Sequence, residues 1–244
     1  MPRSLRSSFT RLASLALLAL APAATPARAI EGGYVAGHNA LSRATVGIGT
    51  FSGGNGEAIG VARCSGVLIG PSLVLTAGHC VANNPFAAAV ILYDGSKPVG
   101  RAIPVRTVER YAGNPSDLPA RYASLATLSL DTALLRLARP VRDRAPLHLG
   151  RGRAPARLKL AGTGLSPEGL GTLKTTPLDP LLMTSTGLIV AQTRGSTVCR
   201  GDSGGPVVAD GPGGPTVWGV ASAVLTDSPP CGNVLLVAPA LPRL

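Results

Sequence analysis

A serine between glycines is the first feature of this chain that could do chemistry. Ser203 lies in residues 201–206, Gly-Asp-Ser-Gly-Gly-Pro, where two glycines after the serine leave its hydroxyl unobstructed and allow a sharp turn. A serine hydroxyl is a poor nucleophile at neutral pH. It needs a general base within hydrogen-bond reach and an acid that orients this base.

Two aliphatic stretches supply a base and an acid. His79 follows an aliphatic run and directly precedes Cys80, which could lock the histidine in place. Asp131 stands at the start of the apolar stretch 132–137, where a carboxylate must be paired or hydrogen-bonded to be tolerated. We therefore predict Ser203 as nucleophile, His79 as general base and Asp131 as the acid that orients His79.

Short aliphatic segments bounded by turn residues would have to position these groups. The chain has 31 Gly and 22 Pro, and it lacks long amphipathic helical periodicity. This pattern is typical of an antiparallel all-β fold, with one possible helical turn at 77–81. The predicted strands are 45–51, 61–69, 73–76, 89–93, 105–110, 132–137, 158–161, 187–191, 206–209, 217–225 and 234–237.

The first 29 residues are predicted to be a secretory signal peptide. Arg3, Arg6 and Arg11 precede an apolar run at 12–21, and Ala-Arg-Ala at 27–29 fits a small-x-small cleavage site. This run is about half of the roughly 20 residues that a membrane span needs. We expect no membrane span and a secreted protein, extracellular or periplasmic if the source is Gram-negative.

The charge and composition of the chain limit which classes of partner are expected. The formal net charge is +11, and removing the four arginines of residues 1–29 leaves +7. Aromatic residues make up only 3% of the chain, which leaves little for base stacking, so no nucleic-acid partner is expected. Without Cys-x-x-Cys spacing or a convincing acidic loop, we predict no metal and no cofactor.

The four cysteines form an even set, which in a secreted protein predicts two disulfides. A Cys64–Cys80 bond would tie the loop of His79 to a strand. Cys199 and Cys231 would then bracket the nucleophile. The residues alone leave all three possible pairings open.

The blocks around His79, Asp131 and Ser203, in this chain order, resemble the trypsin/chymotrypsin family of serine endopeptidases. Residues 30–33 (Ile-Glu-Gly-Gly) look like its activated N terminus, and residues 64–66 and 161–164 look like two of its internal signatures. The resemblance covers nearly the whole chain after residue 29. It also favours the Cys64–Cys80 and Cys199–Cys231 pairs.

The resemblance implies two antiparallel six-stranded Greek-key β-barrels with the active site in the cleft between them. Residues 30–150 would form the N-terminal barrel, which carries His79 and Asp131. Residues 151–244 would form the C-terminal barrel, which carries Ser203 and the specificity pocket. An Arg- and Pro-rich stretch at 139–155 is the best linker candidate.

The family pattern also implies further roles. Backbone N–H groups of Gly201 and Ser203 would form the oxyanion hole. Asp202 would pair with the freed amine of Ile30, which signal cleavage after Ala29 would create directly. An earlier cut near residues 21–23, followed by processing at Ala29, is the alternative.

The predicted pocket departs from the family. Thr197 stands where trypsins carry an aspartate, and Ala223 and Val224 stand where the family usually has Trp-Gly. Ser222 matches the serine that supports the catalytic aspartate. Together with Asn233 in the far wall, these residues predict a shallow apolar pocket for Ala, Val or similar side chains.

The sequence thus predicts a serine endopeptidase that prefers small or medium aliphatic residues before the scissile bond (P1). Its substrate would be a protein or peptide, and a monomer is expected. One alternative is a catalytically weak or inactive binding protein on the protease fold, because the pocket wall is altered. An esterase that uses the same triad is another.

Overall fold

Strands make up most of the computed structural model, which describes residues 29–53, 60–82, 87–111, 124–166, 169–226 and 231–241. The predicted signal peptide, apart from Ala29, lies outside these ranges. In the described part of the chain, no helix is long and apolar enough to cross a membrane.

The first barrel is built from aliphatic strands whose core-facing residues, such as Val46 and Ile48, are fully buried. It consists of β2 (Thr45–Ser52), β3 (Gly60–Gly70), β4 (Leu73–Thr76), β5 (Ala87–Asp94), β6 (Lys97–Arg110) and β7 (Ala133–Leu137). These strands close in the order β2-β3-β4-β7-β6-β5. The fourth strand therefore lies beside the first, which is a Greek-key arrangement.

The second barrel repeats this arrangement. It consists of β9 (Leu158–Gly162), β12 (Lys174–Met183), β13 (Ile189–Thr193), β14 (Pro206–Ala209), β15 (Thr216–Leu225) and β16 (Val234–Pro239). The path β12-β13-β16-β15-β14-β9 closes because β9 also pairs with β12. The predicted all-β fold of two antiparallel six-stranded barrels is confirmed.

Short elements connect and extend the barrels. They are β1 (Tyr34–Val35), α1 (Ala40–Ala44), a 3₁₀ helix (Gly78–Val81), α2 (Leu125–Leu128), β8 (His148–Leu149), β10 (Leu165–Ser166) and β11 (Gly169–Leu170). β1 pairs with β12, and β8 pairs with β15, so both join the second sheet. The domain boundary after residue 150 stays a prediction.

Strand β12 has no counterpart among the predicted strands. Pro177 and Pro180 interrupt its sequence, and proline is unfavourable inside a paired strand because it lacks an N–H donor. The strand nevertheless pairs with β9 on one side and β13 on the other, with a register shift after Pro180. Tertiary pairing therefore overrides the local signal.

An apolar seam joins the two barrels. Fully buried residues from the second half of the chain belong to the same cluster as the core of the first barrel: Ala161, Leu173, Val208, Val220 and Ala238. Tyr93 of the first barrel is also fully buried, and its hydroxyl donates to the carbonyl of Gly171 over 2.8 Å. One buried apolar cluster therefore extends from the first barrel into the second, which also has a core cluster of its own.

Candidate active site

His79 is positioned by the end of β4. This strand is antiparallel to β7, with Thr76 opposite Ala133, so the chain leaving β4 lies beside the chain that enters β7. The 3₁₀ helix after β4 begins with backbone N–H groups that need acceptors. The N–H of His79 donates to Oδ1 of Asp131 over 2.8 Å. Asp131 therefore fixes the short helix that carries the histidine.

The carboxylate of Asp131 is 1% exposed and accepts three hydrogen bonds. Its Oδ2 lies 2.8 Å from Nδ1 of His79 and 2.6 Å from the donating Oγ of Ser222. Because a carboxylate only accepts, Nδ1 carries the proton and Nε2 remains an acceptor. Ser222 lies at a bulge in β15, where the register against β16 shifts between Ala221 and Ala223.

Ser203 lies in a tight turn before β14. Gly201 and Gly204 on either side have φ angles of +90° and +78°, a region that residues with a Cβ rarely adopt. A Cβ on Gly204 would stand 2.3 Å from the carbonyl oxygen of Ser65 in the first barrel. The backbone N–H of Ser65 in turn donates to the carbonyl of Ser203 over 2.7 Å.

Two backbone N–H groups of this turn have no acceptor within the described ranges. Those of Asp202 and Gly204 donate to backbone carbonyls over 3.2 and 2.7 Å, whereas those of Gly201 and Ser203 donate to no described residue. Such unused donors beside a nucleophile can bind the negative charge that develops on a carbonyl oxygen. The arrangement is the one expected for an oxyanion hole.

Ser203 lines two cavities. The small cavity, about 90 Å³, is lined by residues of β15 that include Ser222, Ala223 and Val224. The large cavity, about 370 Å³, is lined by His79 and by the Cys64–Cys80 disulfide, among others. Ser203 and His79 thus border the same space, although no hydrogen bond joins their side chains in the described part of the chain. Without substrate this bond is often long, and it tightens when substrate binds.

Thr197 lies outside the small cavity. Its N–H donates to the carbonyl of Glu31 over 2.9 Å, and its side chain borders a separate cavity together with Asn233. The small cavity is bounded instead by Val224 and Leu235, which are direct cross-strand partners on β15 and β16. Leu235 was not predicted, because only the strand register brings it opposite Val224.

Both predicted disulfides are present in the structure. Cys64 and Cys80 are joined by an S–S bond of 2.02 Å, and Cys199 and Cys231 by one of 2.10 Å. The first bond ties β3 to the 3₁₀ helix, and Sγ of Cys80 lies 3.9 Å from Nε2 of His79. Both groups of potential metal ligands in the described ranges contain these disulfide cysteines, which have no thiolate to offer.

Asp202 is a fully buried carboxyl group behind the turn of Ser203. Its Oδ2 accepts from the backbone N–H groups of Cys199 and Ile30 over 2.9 and 3.0 Å, whereas Oδ1 has no partner among the described residues. Burial raises the pKa of Asp202 from 3.8 to about 7, although the backbone hydrogen bonds oppose this rise. Ala29, 2% exposed, is still linked to Ile30 and packs against Gly164.

The sequence profile described as "Trypsin" matches residues 34–237. The chain belongs to the trypsin family. It is 32% identical to human kallikrein-10 over 197 residues (70% of this chain, 66% of kallikrein-10) and 30% identical to human granzyme M over 171 residues (59% and 63%). The chain therefore spans slightly less than two thirds of either relative.

The fold of the trypsin family is also found among solved structures. A structure titled "HL collagenase" superposes on this chain with a TM-score of 0.66. The superposition covers 86% of this chain and 94% of the collagenase chain. The two sequences are 20% identical, so this similarity concerns the fold. The predicted family resemblance is confirmed by the profile match over most of the chain.

A buried hydroxyl group that was not among the predicted site residues supports the turn that contains Gly201 and Ser203. Ser65, fully buried on β3, donates from Oγ to the carbonyl of Gly201 over 2.8 Å and accepts the N–H of Thr163 over 2.9 Å. Ser65 thus links the first barrel to the residue whose N–H group is unused.

We expect Ser65→Ala to lower kcat about tenfold and the free energy of unfolding by about 2 kcal/mol, because it leaves two buried polar groups unpaired. KM should change less than twofold, since the N–H group of Gly201 is predicted to bind the transition state. Steady-state kinetics and urea unfolding measure both effects. Ser42→Ala is the matched control: this buried hydroxyl bonds to Asn39, far from the site, so kcat should not change. An equal kcat loss in both variants would contradict a positioning role for Ser65.

Proposed function

We propose that this protein is a secreted serine endopeptidase that cleaves peptide bonds through an acyl-enzyme. The observation that carries the proposal is the 2.8 Å contact between Asp131 and Nδ1 of His79, whose ring borders one cavity with Ser203. This contact leaves Nε2 able to accept the proton of the Ser203 hydroxyl. Substrate would be a protein or peptide.

The reaction follows from these roles. Oγ of Ser203 attacks the carbonyl carbon while Nε2 of His79 takes its proton, and the N–H groups of Gly201 and Ser203 bind the oxyanion. Each such donor typically contributes about 3 kcal/mol in the transition state. His79 then protonates the leaving amine, and water hydrolyses the ester on Ser203 with His79 as base.

Covalent labelling of Ser203 tests this function. A fluorophosphonate probe should label protein that begins at Ile30, and Ser203→Ala should remove the label. The same preparation, without the probe, should cleave casein and peptides. Absence of labelling would favour the inactive binding protein, and hydrolysis of short-chain esters without casein cleavage would favour an esterase.

The small cavity supports a preference for small or medium aliphatic P1 residues. It lies beside Ser203 on the side of β15, and its volume of about 90 Å³ is well below the range of about 300 Å³ and more that drug-sized ligands occupy. Val224 and Leu235 limit its size. Alanine and valine side chains fit such a cavity better than phenylalanine or arginine.

Val224→Gly should enlarge this cavity. We expect the ratio of kcat/KM for P1 Phe to that for P1 Ala to rise at least tenfold, because each methylene-sized change in such a pocket alters specificity by about 10- to 200-fold. Paired peptides that differ only at P1 measure this ratio. Leu225→Ala, an exposed neighbour on β15, is the control and should leave the ratio unchanged. An unchanged ratio in Val224→Gly would exclude the small cavity as the P1 pocket.

Secretion and activation are proposed to be one event. Two disulfides are typical of an oxidising compartment. Cleavage between Ala29 and Ile30 would turn the Ile30 N–H, now 3.0 Å from Oδ2 of Asp202, into an ammonium group. This group has enough donors to bind Oδ1 as well, the oxygen that has no partner among the described residues.

A further inference from the structure

The large cavity beside Ser203 carries positive charge that the proposed catalytic steps do not use. Arg63 of β3 and Arg200, next to Gly201, both line it. The other lining residues are His79, Ser203 and small or apolar groups such as Val61, and no described carboxylate borders the cavity. Its electrostatic potential therefore favours an anion.

The leaving half of the substrate has to lie in this cavity. His79 donates a proton to the leaving amine, so the residues after the scissile bond must depart beside the His79 ring. The ring lines the large cavity and does not line the small one. The small cavity therefore takes the P1 side chain, and the residues after the scissile bond meet the two arginines.

Both arginines are available to such a ligand. Arg63 is half-buried and Arg200 is exposed, and neither forms an ion pair with any residue in the described ranges. A guanidinium group binds a carboxylate through two parallel hydrogen bonds, which gives this contact a defined geometry. With about 370 Å³, the cavity has room for a Glu or Asp side chain.

We propose, on the basis of the endopeptidase function above, that the site selects substrates with a carboxylate within two residues after the scissile bond. Arg63 lines only the large cavity, whereas Arg200 lines both, so Arg63 is the residue that acts on the leaving side alone. The carboxylate can belong to an Asp or Glu side chain or to the C terminus of a short substrate. Both present the same charge to the arginines.

Peptides with an internal fluorescence quencher test the proposal. All carry Ala at P1 and an amidated C terminus, and they have Glu, Gln or Lys at the first or second position after the scissile bond. We expect kcat/KM to be about tenfold higher for Glu than for Gln and lowest for Lys, because an exposed ion pair is worth up to about fivefold and two arginines contribute. A further Gln peptide ends at the second position after the scissile bond with a free carboxylate in place of the amide. It tests whether a C-terminal carboxylate can replace the Glu side chain.

Charge variants connect the preference to the cavity. Arg63→Gln and Arg200→Gln should each reduce the Glu/Gln ratio about threefold, and the double variant should bring it close to one. Arg106→Gln removes the same charge from an exposed position on β6 and should leave the ratio unchanged. Higher salt should weaken the preference in the wild-type protein.

The outcomes separate this proposal from the function on which it rests. Fluorophosphonate titration counts active Ser203 in every preparation. If a preparation that reacts with the probe cleaves Glu, Gln and Lys peptides equally well in a separate untreated aliquot, the proposal about the arginines is wrong while the endopeptidase function stands. The same conclusion follows if the double variant keeps the preference. If Ser203 is not labelled and no peptide is cleaved, both are wrong.

Discussion

Asp131→Asn is expected to lower kcat about ten-thousand-fold, the size of effect seen when the acid of such a triad loses its charge. Three donors converge on this carboxylate, from the backbone and ring of His79 and from Ser222. An amide has only one accepting oxygen, and its NH₂ group would face a donor. The histidine would then protonate at Nε2, which could no longer take the proton of Ser203. Steady-state kinetics on a P1 Ala peptide measure the loss.

Ser222→Ala is the control for Asp131→Asn. It removes one of the three donors but keeps the carboxylate and the tautomer of His79, so we expect a loss of about tenfold. Both variants should retain the unfolding transition of the wild-type protein. A kcat for Asp131→Asn within tenfold of wild type would show that Asp131 does not orient the catalytic base.

Protein that keeps Ala29 attached is expected to lose about 3 kcal/mol of stability as the pH rises from about 4 to about 7. In this form burial raises the pKa of Asp202 from 3.8 to about 7. Between these values the unfolded chain releases the proton while the folded chain retains it. The folded state then binds more protons than the unfolded state. The contribution of Asp202 to the free energy of unfolding is therefore complete below about pH 4 and is lost as the pH rises. Urea unfolding at a series of pH values measures the change.

The comparison uses chains that cannot cleave themselves. Ser203→Ala protein is prepared in two forms, one beginning at Ile30 and one with Ala29 and preceding residues attached. The form that begins at Ile30 should lose much less stability, because its ammonium group lowers the pKa of Asp202. Asp202→Asn should remove the pH dependence of the attached form. Parallel pH profiles for both forms would contradict the proposed pairing.

Local sequence determines much of the fold. β4 and β14 were predicted at their observed bounds, 73–76 and 206–209, because each is a compact aliphatic run between turn residues. The turn of Ser203 could also be predicted from the sequence, since the φ angle of Gly204 requires a residue without a Cβ. His79 and Asp131, which lie 2.8 Å apart, were selected as candidates from the same kind of local context.

Features that depend on long-range packing could not be predicted from the sequence. β12 contains prolines that argue against a strand, and it pairs only because the barrel closes around it. Leu235 enters the small cavity through its register opposite Val224. The Ser65 hydroxyl supports Gly201 across 136 residues of sequence. No local pattern encodes such contacts, because each depends on where two distant segments meet.

The apolar seam bears on how this molecule can move. Two barrels joined only by a linker could rock about a hinge, but fully buried side chains such as Leu173, Val208 and Val220 of the second half of the chain belong to the core cluster of the first barrel. Separating the barrels would expose this surface to water at a cost of about 25 cal/mol for each Å². The seam therefore opposes rocking of the barrels, and we expect selection among substrates to depend on loops and side chains at the rim of the cleft.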